Sequence, residues 1–366
     1  LRLPLTAYAL IIFASMFLLA RRLSNSTIWA ACSSCCLFLL SYLASHIGSE
    51  LRFHTSGMAH AALSWCLFSY VLTSSNEKKQ NLLLLFWTIS VVIAGWSHLY
   101  STYSLFMQLG LFILAWAKLI PQCSLSTISR TKKIITATFI AIMGCLQTLF
   151  FFTWMRQPYH RGYQNISLSE LAQKTLPILD QYIFFPNIWI WLIAFGAGAT
   201  ITILRSKNTI EKLKHLALTV LGFLQLGIIF VLAKKYYEVQ WAHDAWAPRY
   251  IMAGVIPFVF FMSYFARNLF HKEWDRKYGL VFSTICLIIF FLIPSLKTSY
   301  WGNLSEVSGN FRWSDLRTQL SKLDAYGKVD YILGAQPNKN AIQQLDINGG
   351  SIDITWQLYT NGPFAI

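Results

Sequence analysis

The chain has 366 residues, 55% of them hydrophobic and only 12% charged, where an ordinary globular chain carries about 25% charged residues. Its 45 formal charges cannot clothe that much apolar side chain in water, which excludes an ordinary soluble domain or pair of domains. The net charge of +15 raises nucleic acid as a partner, but residues 301–366 hold five Lys/Arg against six Asp/Glu, so the entire excess sits in the apolar part of the chain and reads as membrane topology instead.

A membrane-spanning helix needs about 20 mainly apolar residues. Ten segments qualify: 3–20, 28–47, 57–74, 82–96, 101–120, 134–154, 186–204, 216–233, 249–266 and 278–294. The chain opens Leu1-Arg2-Leu3 rather than with Met. Its first apolar segment is too long and too ordinary in its flanks for a signal peptide, so the reading leaves room for a further upstream helix. In the second segment Cys32-x-x-Cys35-Cys36 has a redox or metal spacing. It lies in an apolar run with no histidine close by, so the cysteines read as small apolar helix residues and no disulfide framework is expected.

The connections sort by charge. Arg21 and Arg22 follow the first segment, Lys78 and Lys79 the third, and Arg130, Lys132 and Lys133 the fifth. Arg205, Lys207, Lys212 and Lys214 follow the seventh, and Arg267, Lys272, Arg276 and Lys277 the ninth. Those five odd-numbered connections hold 15 of the 30 Lys/Arg. The positive-inside rule puts them in the cytoplasm and both ends of this chain outside it.

The even-numbered connections gather a different set. Residues 48–56 carry Glu50, Arg52 and His54; residues 96–103 carry Trp96, His98, Tyr100 and Tyr103. The long stretch 155–185 holds Arg156, His160, Arg161, Tyr163, Glu170 and Asp180. Within it Ser167-x-x-Glu170 is a capping box, and Leu168, Leu171, Ala172, Leu176 and Leu179 recur at helical spacing. An amphipathic helix over 167–179, bent or ended by Pro177, is expected in the interface. It either roofs a lipid-facing groove or connects two spans passively. Asp180 reads as a solvated loop end. Residues 234–250 carry Lys234, Lys235, Glu238, Trp241, His243, Asp244, Arg249 and Tyr250.

Acids are scarce here, which makes Glu50, Glu238 and Asp244, with His243 beside Asp244, the acid–base candidates. A carboxylate serves as general base on a hydroxyl, or holds a divalent cation on a phosphate leaving group. A structural salt bridge is the plain alternative for each. Arg249, Tyr250, Arg156, Arg161, His160 and Lys235 are the candidates for holding a phosphate through charge-assisted bonds. An arginine at the mouth of a span also reaches lipid headgroups with no further role. No ladder of ionisable residues runs through the apolar segments, against the expectation for a proton-coupled transporter. Gly196-Ala-Gly-Ala199 and the group Gly222, Gln225 and Gly227 read as close helix contacts.

Residues 295–366 read as a small polar appendage. A helix with Trp313, Leu316, Leu320 and Leu323 on its buried face, a strand at 329–333 and an alternating strand at 351–358 after Gly349-Gly350 predict an α+β piece. The expected fold is therefore an all-α polytopic membrane core of about ten spanning helices, 1–294, followed by a small extracytoplasmic α+β domain, 295–366.

This layout, with Arg249-Tyr250 entering a late span ahead of Pro257 and Trp313-Ser-Asp315 in the tail, resembles bacterial polytopic glycosyltransferases of the GT-C superfamily. The resemblance implies a polyprenyl-phosphate-linked sugar donor, transfer to an envelope glycan or lipid at the extracytoplasmic face of the inner membrane, and membrane lipid and lipid-linked substrate as partners. It implies an acid, often a pair, in the first outer loop, where this chain offers Glu50 alone. Two rivals stand beside it. One is a surface-polysaccharide polymerase or ligase that uses outer arginines with His160. The other is a non-catalytic transporter of lipid or solute.

Overall fold

The computed structural model describes residues 3–39, 53–97, 101–155 (122 and 124 excepted), 166–184, 187–237, 247–270, 273–285 and 288. They form eleven helices: α1 (Leu3–Ser24), α2 (Thr27–Ser34), α3 (Phe53–Thr73), α4 (Glu77–Ser97), α5 (Thr102–Trp116), α6 (Arg130–Met155), α7 (Leu168–Ile178), α8 (Ile188–Arg205), α9 (Thr209–Tyr237), α10 (Ala247–Ala266) and α11 (273–285). Wider π turns extend α2 over Cys35–Leu39 and α7 over Leu179–Ile183.

Local chemistry sets the boundaries. α1 stops where Asn25 takes the left-handed conformation, φ 55°, a habit of Asn just past a helix end. Ser26 then caps α2 by accepting the Trp29 N–H at 3.1 Å. α5 runs out at Lys118, also left-handed at φ 59°. Asn187 caps α8 through the Trp189 N–H, and Asp180 accepts the Ile188 N–H at 2.9 Å. Asp180 is thus a helix cap, not the solvated loop end that its sequence neighbourhood indicates.

The helices are apolar on more than one side. α4 buries Leu84, Trp87, Val91 and Ala94 yet exposes Leu82, Leu85, Phe86 and Ile89. α6 turns Ile135, Phe139, Ile142, Leu146 and Leu149 outward. Outward faces of that kind are at home against lipid tails. The chain is a polytopic, mostly α-helical integral membrane protein.

The expected count of about ten spans is corrected to five. Among the described residues, spanning length and composition are met by Ala7–Ser24, Glu77–Ser97, Arg130–Phe150, Ile188–Arg205 and Thr209–Lys234. Thr27–Leu37, Thr102–Trp116 and Gly254–Ala266 are apolar but short. α3 has 21 residues, and Ser56, His60, Ser64 and Ser69 dilute its apolar character. The expected α+β component is withdrawn as well: the described residues contain no β-strand. Chain contacts divide the protein into units Leu1–Pro294 and Ser295–Ile366, and the whole second unit lies outside the described residues.

Within the first unit α10 is the hub. It packs against α1, α2, α3, α5, α8 and α9. From Gly254 to Ala266 every residue is buried, Pro257 included, whichever way it points. Its aromatics interlock with the neighbours: Phe260 lies 5.2 Å from Trp65 of α3, and Phe258 and Phe265 each lie 5.5 Å from Phe195 of α8 (ring centroids). Trp29 of α2 donates to Ser263 Oγ at 3.1 Å. Pro257 supplies no N–H to the turn before it. Close by, Gln225 of α9 donates its amide to the Gly254 carbonyl at 2.8 Å, a polar tie between α9 and α10 one turn before the proline.

Candidate functional site at the polar end of the bundle

The helix ends bearing the basic connections are tied together. Arg22 donates to Thr73 Oγ1 and to the Thr73 carbonyl, joining the ends of α1 and α3. Thr127 hydrogen-bonds Gln80, which donates to the Val71 carbonyl. Lys214 Nζ donates to the Lys118 carbonyl at 2.7 Å, and Tyr264 Oη to the Pro121 carbonyl at 3.0 Å. Asn268 donates to Thr202. The Asp275 carboxylate accepts from Ser26 Oγ and from the Ile28 N–H. Partial burial pushes the Asp275 carboxyl up, but donors from Ile28, Thr27 and Ser26 outweigh it and hold it below the ordinary carboxylate range. All five odd-numbered connections therefore share one end of the bundle.

The even-numbered connections join the opposite ends, and the sequence-derived candidates are strung along them. Lys235 lies in the last turn of α9, and Arg249 with Tyr250 in the first turn of α10. Those two helices pack closely: a Cβ at Gly254 would lie 2.7 Å from Ile229 Cγ1. Their facing ends thus bring the backbones of Lys235 and Arg249-Tyr250 to one end of one helix pair. Glu238, His243 and Asp244, in the connection between them, lie outside the described residues. So do Glu50, before α3, and Arg156, His160 and Arg161, between α6 and α7.

α7 forms where the amphipathic helix is expected. Ser167 caps it by accepting the Glu170 N–H at 3.2 Å, and Glu170 pairs with Lys174 at 3.3 Å. It packs on α9, with Lys174 Nζ 5.3 Å from the centroid of the Tyr237 ring. Its buried face is Leu171, Thr175 and Ile178, whereas Leu168 and Leu176 face outward. The buried stripe is thus rotated from the expected one, and two leucines remain free to meet lipid.

The interior holds polar groups that the apolar runs concealed. Gln108 of α5 accepts the Trp87 N–H at 2.6 Å and donates to Ser64 Oγ at 2.9 Å. Trp65 donates to Ser104 at 2.6 Å. This network crosses α3, α4 and α5 without a formal charge. Gln147 of α6 is fully buried, and both its amide atoms lack a hydrogen-bond partner. At the basic end His215 Nδ1 lies 3.4 Å from Tyr264 Oη, and burial pushes the nearby Cys123 thiol up to about 12 against the opposing pull of Arg267. The only advance signal for the glutamines was an uncharged polar residue inside an apolar run.

Among the described residues no three His, Cys, Asp or Glu side chains gather as metal ligands would. No family model, no curated protein and no solved structure matches the chain.

Proposed function

We propose that this membrane protein transfers a sugar from a polyprenyl-phosphate donor to an envelope glycan or lipid acceptor at the polar end of its bundle, in the manner of the GT-C glycosyltransferases it resembles. On this reading the polar end and both ends of the chain face outward from a bacterial inner membrane. The observation that carries the reading is the position of Arg249-Tyr250: they begin the hub helix, at the end where the scarce acids cluster by sequence. A helix packed by six other helices and by the π turn that extends α7 gives a phosphate-holding arginine a rigid base.

The chemistry follows from the residue types. A carboxylate, Glu50 or Asp244, removes the proton from an acceptor hydroxyl. That oxygen bonds to the anomeric carbon of the donor as the carbon–oxygen bond to phosphate breaks. Polyprenyl phosphate leaves with the bonding pair, and Arg249, with Arg156 or Arg161, stabilises its charge. Glu238 and His243 are reserve acid–base groups, and His160, Lys235 and Tyr250 line the phosphate side. A divalent cation on the leaving phosphate belongs to the same proposal. α7, with Leu168 and Leu176 outward, shapes the lipid approach.

The test is transfer of radiolabelled sugar from polyprenyl-phosphate donors in vesicles containing the full chain. Arg249→Ala, and at least one of Glu50→Ala and Asp244→Ala, should lower turnover by about a hundredfold or more, as expected for lost charge stabilisation or a lost base. Wild-type turnover in all three overturns the proposal.

A further inference from the structure

Gln147 is the most conspicuous unexplained group in the interior. Its side chain is fully buried, and neither Nε2 nor Oε1 has a hydrogen-bond partner. An amide in apolar surroundings with nothing to bond is costly, so native interiors pair such groups with protein, water or ligand. Its surroundings look shaped for it. A Cβ at Gly95 of α4 would stand 2.5 Å from Oε1 and 3.1 Å from Nε2, so only glycine leaves the amide its place.

A second unpartnered group lies at the same level. On α6, Gly144 meets Leu105 and Phe106 of α5. α5 runs toward the basic end and α6 away from it, so three residues beyond that contact α6 reaches Gln147 while α5 reaches Thr102. Thr102 is buried, and its Oγ1 also lacks a partner. The level is near the polar end: Gly95 lies two residues before the end of α4, and Thr102 is the first residue of α5.

We infer that Gly95, Thr102 and Gln147 form a binding site for a neutral hydroxyl group, presented between α4, α5 and α6 close to the polar end of the bundle. The chemistry follows from the donors. An amide offers one donor group and one acceptor, a threonine hydroxyl offers both, and a hydroxyl group satisfies all of them at once. None of the three carries a charge to match a phosphate or a metal ion. Two sources present this chemistry, a sugar ring and a water molecule. The sugar source rests on the transfer reaction proposed above; the water source does not.

The probe is n-octyl β-D-glucopyranoside, added to the full chain in phosphatidylcholine nanodiscs, with thermal unfolding as the readout. Its tetra-O-methyl ether, which has no donor, is the control. The variant is Gln147→Met, near in size and without polar hydrogens. A concentration-dependent rise in Tm given by the glucoside alone, with affinity about tenfold or more weaker in Gln147→Met, supports the site with a sugar as its occupant. No rise, with Gln147→Met unfolding at lower temperature than the wild type, supports it with water. A rise that Gln147→Met retains overturns the inference. So does no rise with Gln147→Met as stable as the wild type or more so, since removing an amide that nothing satisfies is neutral or favourable. Arg249→Ala should leave the glucoside effect intact. Lost transfer with that effect preserved, or the reverse, separates the two proposals.

Discussion

Replacing Gly198 with alanine tests whether α8 and α10 touch backbone to backbone. A Cβ there would lie 2.8 Å from the Phe265 carbonyl oxygen and 3.0 Å from its carbon. Ordinary contact begins at 3.4 Å, so the helices must part by about 0.6 Å. A carbonyl inside a helix cannot swing aside as a side chain would. A gap of that size forfeits roughly a quarter to a half of the attraction between facing atoms, here including Phe195 against Phe258 and Phe265. Overpacking of this kind costs about 1–3 kcal/mol. The better helix propensity of alanine returns at most about 1 kcal/mol, so a net loss of about 1–2 kcal/mol is expected. Gly196, two residues earlier, has nothing within 4 Å of its would-be Cβ, and Gly196→Ala should gain about 0.5–1 kcal/mol. Reversible unfolding of both variants in the same detergent measures the difference. Gly198→Ala as stable as Gly196→Ala, or more so, refutes the close contact.

Asp275→Asn should destabilise the basic end by about 1 kcal/mol at neutral pH, because a charged acceptor of several bonds at the start of α2 is lost. The folded-state pKa of Asp275 is depressed, so its contribution is present above the unfolded value near 3.9 and is lost as pH falls through the folded value. The gap between the two proteins should therefore narrow in acid, as unfolding at pH 7 and pH 3 would show. Gln108→Leu should cost about 2 kcal/mol, since it leaves the buried Trp87 N–H without its acceptor. Loss of near-ultraviolet dichroism should accompany the shift in unfolding midpoint. Cys123 is half-buried, but with its thiol pushed up to about 12 it should react slowly with maleimide at pH 7.5 in folded protein and faster once the chain is unfolded; equal labelling rates in the two states would contradict the raised thiol pKa.

Charge was the most legible part of this sequence. Arg22, Lys214 and the segment before Lys132 all come to one end, because loop cations are sorted by topology and survive any error in helix limits. The cap at Ser167 was legible for a local reason: it needs only its own four residues. The span count was not. Lipid and protein interior are both apolar, so Gly254–Ala266, walled in by neighbours, has the same apolar signature as a lipid-facing span. Small residues were ambiguous in the same way. Gly198 and Gly222 meet neighbours, while Gly196 and Gly227 face open space, a distinction of helix rotation that composition does not encode. The candidate chemistry was legible only as residue types strung on connections. The structure describes the helix ends that frame them, and Arg249-Tyr250 and Lys235 at two of those ends.

The hub position of α10 also dictates a schedule for biogenesis. Trp29 waits for Ser263, a partner 234 residues further along, and Trp65 waits for Phe260. At ribosomal rates of about 5–20 residues per second, the first of these delays lasts roughly 10–50 s. Through that time the sides of α1, α2 and α3 that meet α10 stay unmatched, although Trp65 has already met Ser104 and Trp29 meets Trp191 on the way. Insertion machinery or a membrane chaperone has that window in which to act. A nascent chain halted before residue 247 should be a degradation substrate, whereas one halted just after residue 266 should already hold its central contacts.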